Sequence, residues 1–367
     1  MKKSRIIVVV GPNASGKSDF GVRLAKKMNG EIISADSRQV YKGLDIGSGK
    51  VTKKEMAGIP HHCIDIADPK KVFSAMDFKN CAERAIADIL SRRKTPIIVG
   101  GTGFYIDAAL GRMKLGGVPP DPKLRRKLSK YSAVKLLETL KKLDPERAKT
   151  VEQKNPVRLI RAIEIAKHEK TNAPSSLILA QPAPGSEGFA HFRSSLRSET
   201  MPKMAKNPLR GPLVFSKILE AKNGPRENLA QRDGGDLPAG RQGRAILQRE
   251  NMRVFEREHS SPKITWLGIK RPPEVLKKRI HARLLKRLPG IIKETKKLHN
   301  NGVSWKRLFE LGLEYRYASL HLRGKLTKEE MISQLEMVIW HYAKRQMTWF
   351  KKNKDIKWIK SASSISL

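Results

Sequence analysis

Residues 6–18 read IIVVVGPNASGKS, and this stretch decides the fold. Residues 6–10 are apolar and β-branched, which predicts a short buried strand. A helical pattern follows over residues 17–27. Between strand and helix, residues 11–18 fit the pattern G-x-x-x-x-G-K-[ST] of a phosphate-binding loop. Since this order of strand, loop and helix is the context that supports the motif, we expect an anion site where the helix begins.

The residue types in this loop suit a chain of phosphate groups. Glycines let backbone N–H groups point at an anion, and the helix dipole adds positive potential. Lys17 supplies a point charge, and Ser18 can bind Mg²⁺. The predicted phosphate-binding residues are Gly11, Pro12, Asn13, Ala14, Ser15, Gly16, Lys17 and Ser18.

Two further predicted strands bring loops to the same edge of the sheet. Residues 31–35 form a strand that ends at Asp36, and the strand over residues 96–99 opens into the Gly-Gly-Thr-Gly of residues 100–103. ATPases and GTPases usually carry a metal-binding Asp after such a strand. Its absence here leaves a kinase, or an enzyme whose substrate carries a diphosphate leaving group. Asp36 is then either a general base that faces the phosphate loop or a turn residue.

The pattern of elements divides the chain into four segments. Alternating strands and helices over residues 1–112 predict an α/β domain with a mostly parallel sheet. Residues 113–171 turn helical and basic, which predicts an inserted helical module. Residues 172–260 are rich in Pro, Gly, Ser, Gln and Arg without periodicity, so we expect a disordered insertion. Residues 261–367 return to regular structure and can supply a strand that completes the sheet.

The carboxyl-terminal segment contains three predicted elements. Residues 264–269 read as a strand. A basic helix over residues 272–288 follows, and Pro289 is expected to interrupt it. Thr327 and Glu330 have the T-x-x-E spacing of a capping box, which predicts the start of a long final helix.

The charge balance indicates a polyanionic partner. The 367 residues include 75 Lys and Arg against 35 Asp and Glu, a net charge of +40. Such a surface attracts nucleic acid or anionic lipid. No apolar run approaches the ~20 residues that a membrane span needs. With two cysteines, too few for a disulfide scaffold or a four-cysteine zinc site, we expect a protein of the reducing cytoplasm.

Several blocks, taken together and in order, resemble the bacterial tRNA dimethylallyltransferase (tRNA isopentenyltransferase) family. The resemblance covers residues 4–171 and 262–360, and it implies a P-loop NTPase-like α/β fold: a parallel sheet flanked by helices, with residues 113–171 as an inserted helical tRNA-binding domain. The blocks are GPNASGKS, EIISADSRQVYKGLDIGSGK, GIPHHCIDIADP, FSAMDFKNCA, PIIVGGTGFY, NPVRLIRAIEI and AKRQMTWF.

This resemblance implies a reaction and its participants. A dimethylallyl group passes from dimethylallyl diphosphate to N6 of the adenosine immediately 3′ of the anticodon, with Mg²⁺ as cofactor and the tRNA anticodon stem-loop as partner of a monomeric enzyme. Asp36 corresponds to the family's general base and Thr102 to the threonine beside the reacting amine. Either Arg279 or Arg283 corresponds to a basic residue that clamps the diphosphate, and the sequence does not separate these two.

The resemblance also implies a set of tRNA contacts. Two departures from the family pattern accompany them: Glu314 stands where many members have glycine, and residues 172–260 replace a much shorter connection. Two alternatives stay open, a P-loop nucleotide or small-molecule kinase and a non-catalytic basic RNA-binding protein. The implied tRNA-binding residues are Ser37, Arg38, Gln39, Val40, Arg125, Val157, Arg158, Leu159, Ile160, Arg161, Tyr315, Arg316, Lys344, Arg345 and Gln346.

Overall fold

A parallel sheet of six strands organises the computed structural model, which describes residues 5–113, 115, 117–171 and 262–359. The strands are β1 (Arg5–Val10), β2 (Gly30–Ala35), β3 (His61–His62), β4 (Thr95–Gly100), β5 (Lys263–Ile269) and β6 (Lys357–Ile359). Their order across the sheet is β3-β2-β4-β1-β5-β6. The predicted insertion at residues 172–260 lies outside the described residues.

The described helices precede and follow this gap. Those of the amino-terminal part are α1 (Lys17–Lys27), α2 (Lys53–Met56), α3 (Ala75–Ser91), α4 (Gly103–Ala109), α5 (Pro122–Leu128), α6 (Ala133–Leu143), α7 (Pro145–Thr150) and α8 (Pro156–Thr171). The carboxyl-terminal part adds α9 (Pro273–Asn300), α10 (Trp305–Leu311), α11 (Leu313–Leu322) and α12 (Lys328–Phe350). Across the described ranges, every helix lacks the length or the apolar character that crossing a membrane requires.

The described residues form two compact units. One unit contains the sheet together with α1–α4 and α9–α12. The other contains α5–α8, whose apolar faces bury Leu136, Leu140, Leu159 and Ile163 in a core of their own.

Strand β1 lies inside the sheet and is covered on both faces. Its residues alternate between two cores: Ile6, Val8 and Val10 pack into one, and Ile7 and Val9 pack into the other. A parallel strand buried on both faces is expected to be apolar throughout, as this one is. The fold is therefore the predicted P-loop-like parallel sheet flanked by helices.

A strand from the carboxyl-terminal part completes the sheet. Strand β5 pairs in parallel with β1, with Ile7 opposite Thr265 and Val9 opposite Leu267, while β4 pairs with the other edge of β1. The prediction that distant parts of the chain share one sheet is confirmed. Because parallel neighbours need a crossover connection, the ends of β1, β2 and β4 carry their loops at one edge.

Capping boxes begin two of the helices, and the one at Thr327 was predicted from its spacing. Ser74 and Asp77 form a full capping box before α3. Thr327 and Glu330 do the same before α12. Each box satisfies backbone N–H groups that lack partners in the first helical turn.

Pro289 does not interrupt the basic helix, so that prediction is wrong. Helix α9 runs for 28 residues through this proline. A proline inside a helix removes one backbone hydrogen bond and crowds the preceding turn. Leu288 and Ile291, on either side of it, are buried in a core shared with α11 and α12. Burial of these flanking side chains offsets the local cost and keeps the helix continuous.

The segment around His61 has structural hydrogen bonds. His61 Nδ1 lies 2.8 Å from the Ile59 carbonyl oxygen, and His62 Nε2 lies 2.8 Å from the Glu31 carboxylate. The side chains of Cys63 and Cys81 lie next to each other, with Cα atoms 6.2 Å apart, which places this segment against α3. Both histidines therefore support β3 and its surroundings.

Candidate active site

The phosphate loop has the backbone geometry of an anion-binding turn. Ala14 and Gly16 adopt left-handed conformations, with φ of 60° and 93°. Such alternation turns successive N–H groups toward one concave side. Gly11 is required by close packing, because a Cβ atom there would lie 2.8 Å from Ser15 Oγ and 2.9 Å from the Ile269 carbonyl oxygen. Ser15 Oγ is buried without a hydrogen-bond partner among the described residues, so this cradle holds a polar atom still unpaired.

Lys17 begins α1 and faces the cavity beside the loop. Its Nζ donates to the Pro12 carbonyl oxygen at 3.3 Å. Burial lowers the pKa of the Lys17 ammonium to about 8; nearby Asp36 opposes this shift and Arg283 adds to it. A cation that is buried beside another cation is poorly neutralised within the protein, and it therefore favours an anionic ligand.

The ends of β2 and β4 hold Asp36 and Thr102 together. Ala35 lies opposite Gly100 in the sheet, and the Ala35 carbonyl oxygen accepts from the Thr102 N–H at 3.2 Å. Thr102 Oγ1 accepts from the Ser37 N–H, also at 3.2 Å. A Cβ atom at Gly100 would lie 2.1 Å from the Ala35 carbonyl oxygen. Only glycine lets the two strand ends approach this closely.

Asp36 starts a tight turn with one of its carboxylate oxygens. Oδ1 accepts from the N–H groups of Arg38 at 2.8 Å and Gln39 at 3.3 Å. Asp36 can therefore be both a turn residue and a general base, because its carboxylate shapes the turn and Asp36 lines the cavity.

A cavity of about 400 Å³ brings these elements together. Its wall runs from the phosphate loop past Asp36 to α9, α11 and α12. Of the predicted site residues, the cavity is lined by Asn13, Lys17, Ser18, Asp36, Ser37, Arg38, Gln39, Arg283, Arg316 and Arg345. An anion-binding loop, a carboxylate and several cations thus share one cavity.

The two candidate arginines have different contacts. Arg283 lines the cavity, and its Nη2 donates to the Gly49 carbonyl oxygen at 3.3 Å. Arg279 instead donates from Nε to the Ala14 carbonyl oxygen at 2.8 Å, on the backbone of the phosphate loop. Arg283 thus lines the cavity, whereas Arg279 contacts the backbone of the phosphate loop.

Sequence reasoning missed two arginines near the cavity, Arg271 and Arg287, and named Glu314 only as a departure from the family pattern. Arg271 donates from Nε to the Ser15 carbonyl oxygen at 3.0 Å. Arg287 lines the cavity one helical turn beyond Arg283, and burial lowers its pKa. Glu314 also lines the cavity, and burial raises the pKa of its carboxyl, against the effect of Arg287. The recurrence of arginine at 279, 283 and 287 was a signal, since this spacing places all three on one helix face.

Tyr342 is a further residue that the sequence did not single out for the site. Its hydroxyl is hydrogen-bonded to the Thr102 side chain, and burial raises the pKa of Tyr342 to about 12. Tyr342 lines the cavity. The phenol therefore stays protonated at neutral pH and helps to fix the Thr102 hydroxyl.

Gln346 lies at a position that does not suit the predicted contact with tRNA. Its side chain is buried, with 5% exposed. Oε1 accepts from the Asn13 N–H at 2.9 Å, and Nε2 donates to the Gly101 carbonyl oxygen at 2.9 Å. Gln346 therefore joins the phosphate loop to the loop after β4, and both ends of its amide are used within the protein.

Replacing Gln346 with Leu should weaken diphosphate binding without weakening tRNA binding. The variant leaves a buried N–H and a buried carbonyl unpaired, so we expect the free energy of unfolding to fall by about 1–3 kcal/mol. We expect the KM for the diphosphate substrate to rise severalfold. Lys344→Ala, on the exposed side of the same helix, is the control and should show the opposite pattern. Equal effects of the two variants on tRNA binding would contradict this assignment.

Two more predicted tRNA contacts are buried side chains. Val40 and Tyr315 are 0% and 1% exposed. The Tyr315 hydroxyl donates to Glu294 Oε1 at 2.7 Å. A side-chain contact with tRNA does not fit either position, because each side chain is enclosed by the protein. Arg316 is half-buried, with its guanidinium 4.4 Å from the centre of the Phe309 ring.

In the helical unit, two of the predicted arginines share one internal partner. Arg125 donates from Nε and Nη2 to the Glu164 carboxylate, each at 2.7 Å, and Arg161 donates to it at 2.9 Å. Burial disfavours the charged form of Glu164, but these hydrogen bonds hold its pKa below the ordinary value. Arg125 therefore joins α5 to α8, whereas the hydrogen bond from Arg161 to Glu164 lies within α8.

The remaining predicted contacts of this unit differ in exposure. Leu159 is fully buried and Ile160 packs against the same core, so their side chains stabilise the unit. Val157 is 76% exposed, and Arg158 is exposed beside Glu152 at 3.2 Å. Val157 and Arg158 are thus the members of this block whose side chains face solvent.

Comparisons with known proteins agree with this geometry. The sequence profile described as IPP transferase matches residues 39–201 and 240–353. The gap in the match, residues 202–239, falls inside the segment 172–260 that the sequence predicts as an insertion.

Proteins of similar sequence include tRNA dimethylallyltransferase 1 of Geotalea uraniireducens, which is 35% identical over 95% of this chain and 88% of its own length. The crystal structure of tRNA isopentenylpyrophosphate transferase from Staphylococcus epidermidis is 30% identical, with a TM-score of 0.56 over 99% of this chain and 95% of that one. A eukaryotic dimethylallyltransferase acting on tRNA shares the fold, with a TM-score of 0.63 at 22% identity over 99% and 75% of the two chains.

Proposed function

The chain belongs to the IPP transferase family, and on this premise we propose that it transfers a dimethylallyl group from dimethylallyl diphosphate to tRNA. The acceptor we propose is N6 of the adenosine immediately 3′ of the anticodon, and diphosphate is released. The observation that supports this most is that Lys17 of the phosphate loop and the Asp36 carboxylate line one cavity.

The acceptor amine explains the need for Asp36. The lone pair of an adenine amine is delocalised into the ring, so the nitrogen is a weak nucleophile. As the C–N bond forms, a base must accept the proton that the nitrogen loses. We propose that Asp36 is this base, with the oxygen that does not hold the Arg38 N–H turned toward the amine.

The leaving group explains the phosphate loop and the cations beside it. When the allylic C–O bond breaks, negative charge builds up on the diphosphate. Donors that are already in place for that charge supply a large part of the rate. We propose that the loop backbone, Lys17 and Arg283 are these donors, and that the Thr102 hydroxyl, held by Tyr342, faces the same oxygen atoms.

We propose that Mg²⁺ accompanies the diphosphate. The described residues contain no cluster of three or more His, Cys, Asp or Glu side chains that could hold a metal ion. Mg²⁺ commonly needs only one or two protein ligands when phosphate oxygens and water complete its shell. The Ser18 hydroxyl lies on the cavity wall, and Ser15 Oγ of the same loop has no hydrogen-bond partner among the described residues, which fits this requirement. Bound there, the ion would neutralise charge on the departing diphosphate.

The tRNA partner accounts for the net charge. An adenosine that is stacked in an anticodon loop must be extruded to reach the cavity, at a cost of a few kcal/mol. Contacts between phosphates and a chain of net charge +40 can offset this cost. We propose Ser37, Arg38, Arg316 and Arg345 near the extruded base, and exposed Val157, Arg158 and Lys344 as contacts with the anticodon stem-loop. Such a substrate is found in the cytoplasm, where we place the enzyme.

One assay tests this function against the alternatives. Purified protein is incubated with radiolabelled dimethylallyl diphosphate, Mg²⁺ and an unmodified tRNA that carries adenosine just 3′ of its anticodon. We expect label in the tRNA at that nucleoside. Phosphoryl transfer from ATP without prenyl transfer would indicate a kinase. Tight tRNA binding without any label would indicate an RNA-binding protein.

Diphosphate binding should weaken as the pH rises above 8. The pKa of Lys17 is about 8 in the free protein, and a bound anion raises it. The protonated form is therefore the one that binds, so the affinity is constant well below this pKa and falls by up to about tenfold per pH unit above it. Titration calorimetry at about pH 7, 8 and 9 measures the slope, and Lys17→Arg, which keeps its charge, is the control. Equal slopes for both proteins would show that Lys17 is not responsible.

A further inference from the structure

The loop of residues 43–50, GLDIGSGK, forms one wall of the cavity and is held by a buried carboxylate. Ser48 and Gly49 of this loop line the cavity. Three successive N–H groups, those of Asp45, Ile46 and Gly47, donate to the Glu294 carboxylate at 2.9, 2.7 and 2.9 Å. Successive N–H groups that converge in this way form an anion-binding nest. Here the anion is the side chain of Glu294, in the carboxyl-terminal part of α9.

Tyr315 extends this arrangement to a fourth N–H group. Its hydroxyl donates to Glu294 Oε1 at 2.7 Å and accepts from the Ser48 N–H at 3.0 Å. Burial and the adjacent Glu294 raise the pKa of Tyr315 well above its ordinary value, so the hydroxyl keeps its proton. Gly47 must be glycine, because a Cβ atom there would lie 2.4 Å from Tyr315 Cζ.

The carbonyl groups of the same loop hold two arginines of the cavity. The Gly47 carbonyl oxygen accepts from Arg287 Nη2 at 2.7 Å, and the Gly49 carbonyl oxygen accepts from Arg283 Nη2 at 3.3 Å. A guanidinium has five N–H donors, so each arginine keeps further donors for an anion in the cavity. The position of both arginines therefore depends on the conformation of the loop.

We propose that Glu294 is a positioning residue for diphosphate binding. By filling the nest it fixes the loop, and the fixed loop orients Arg283 and Arg287 before the substrate arrives. Side chains that are ordered in advance bind an anion more tightly, because less freedom is lost on binding. The inference rests on the proposed function, since it assigns diphosphate as the anion that these arginines meet.

Glu294→Gln is the variant that isolates this role. The carboxylate accepts through Oε2 from the N–H groups of Asp45 and Ile46, and through Oε1 from the Gly47 N–H and the Tyr315 hydroxyl. In either orientation, the side-chain NH₂ of Gln would face one of these pairs of donors. Because a donor cannot accept from another donor, the hydrogen bonds of that pair would be lost. Thr295→Val is the matched control, because it removes a buried hydrogen bond to the Ile291 carbonyl oxygen in the same helix without touching the loop.

The experiment measures the Kd of inorganic diphosphate with Mg²⁺ by calorimetry, the Kd of tRNA, and thermal unfolding. We expect Glu294→Gln to raise the diphosphate Kd about tenfold or more. The tRNA Kd should stay within about twofold, and Thr295→Val should leave both constants within about twofold. A folded Glu294→Gln protein with an unchanged diphosphate Kd would overturn the inference. If the wild-type protein does not bind diphosphate, the proposed function itself fails.

Tyr315→Phe provides an independent test should Glu294→Gln fail to fold. It keeps the carboxylate but removes one hydrogen bond to it and the acceptor of the Ser48 N–H. We expect a diphosphate Kd about threefold above that of the wild type, consistent with the loss of one net hydrogen bond. An unchanged Kd in this variant would count against the role of Glu294.

Discussion

Replacing Asp36 with Asn is expected to reduce prenyl transfer by about 10²–10⁴-fold, the range that general bases contribute. Asn keeps an oxygen that can accept from the N–H groups of Arg38 and Gln39, so the turn after β2 is preserved. It removes only the ability to take a proton. We therefore expect the Kd values of diphosphate and tRNA to stay within a few-fold of the wild type.

Asp36→Ala separates the two roles of this residue. It removes both the base and the acceptor that shapes the turn, so transfer should be lost in the same way while the contacts of Arg38 also loosen. Single-turnover transfer of label to tRNA measures the chemical step directly. Asp36→Asn with wild-type single-turnover rate would show that another group takes the proton.

The second large effect is expected at Lys17. Lys17→Ala removes a buried charge from the start of α1, beside the place where we propose that negative charge develops. Removing one such donor typically lowers the rate by about 10²–10³-fold. We expect kcat/KM for dimethylallyl diphosphate to fall within this range while the Kd of tRNA changes little.

The control for Lys17 lies on the same helix. Lys26 is exposed in the last turn of α1, so Lys26→Ala changes the net charge equally without touching the cavity. It should keep the wild-type kcat/KM for dimethylallyl diphosphate. If both lysine variants lost the same activity, the effect would come from overall charge, and the specific role of Lys17 would be excluded.

The features of the fold that are encoded locally were predictable. The apolar run of β1, the helix from Lys17 to Lys27 and the box at Thr327 all depend on residues a few positions apart. The continuity of the long helix through Pro289 could not be predicted, because it depends on burial of Leu288 and Ile291 against α11 and α12, which lie elsewhere in the sequence. The two-residue strand β3 also escaped, since two residues carry no periodicity.

The same distinction applies to the site. The phosphate loop and Asp36 could be named because motif and strand end coincide in the sequence. Gln346 was predicted to bind tRNA because it belongs to the AKRQMTWF block. Its hydrogen-bond partner Asn13 lies 333 positions away in the sequence. Glu294 lies 249 positions from Asp45, and nothing in its neighbourhood marks it as a partner of that loop. Contacts at such separations become visible only when the fold brings the segments together.

The most direct test of the account is a crystal structure with both substrates. The protein would be crystallised with an unmodified tRNA anticodon stem-loop and an unreactive thio analogue of dimethylallyl diphosphate. We expect the diphosphate on residues 11–18 and an Asp36 carboxylate oxygen about 2.6–3.2 Å from N6 of the extruded adenosine. An Asp36 carboxylate that pointed away from the diphosphate, in a space that no purine could enter, would contradict the account.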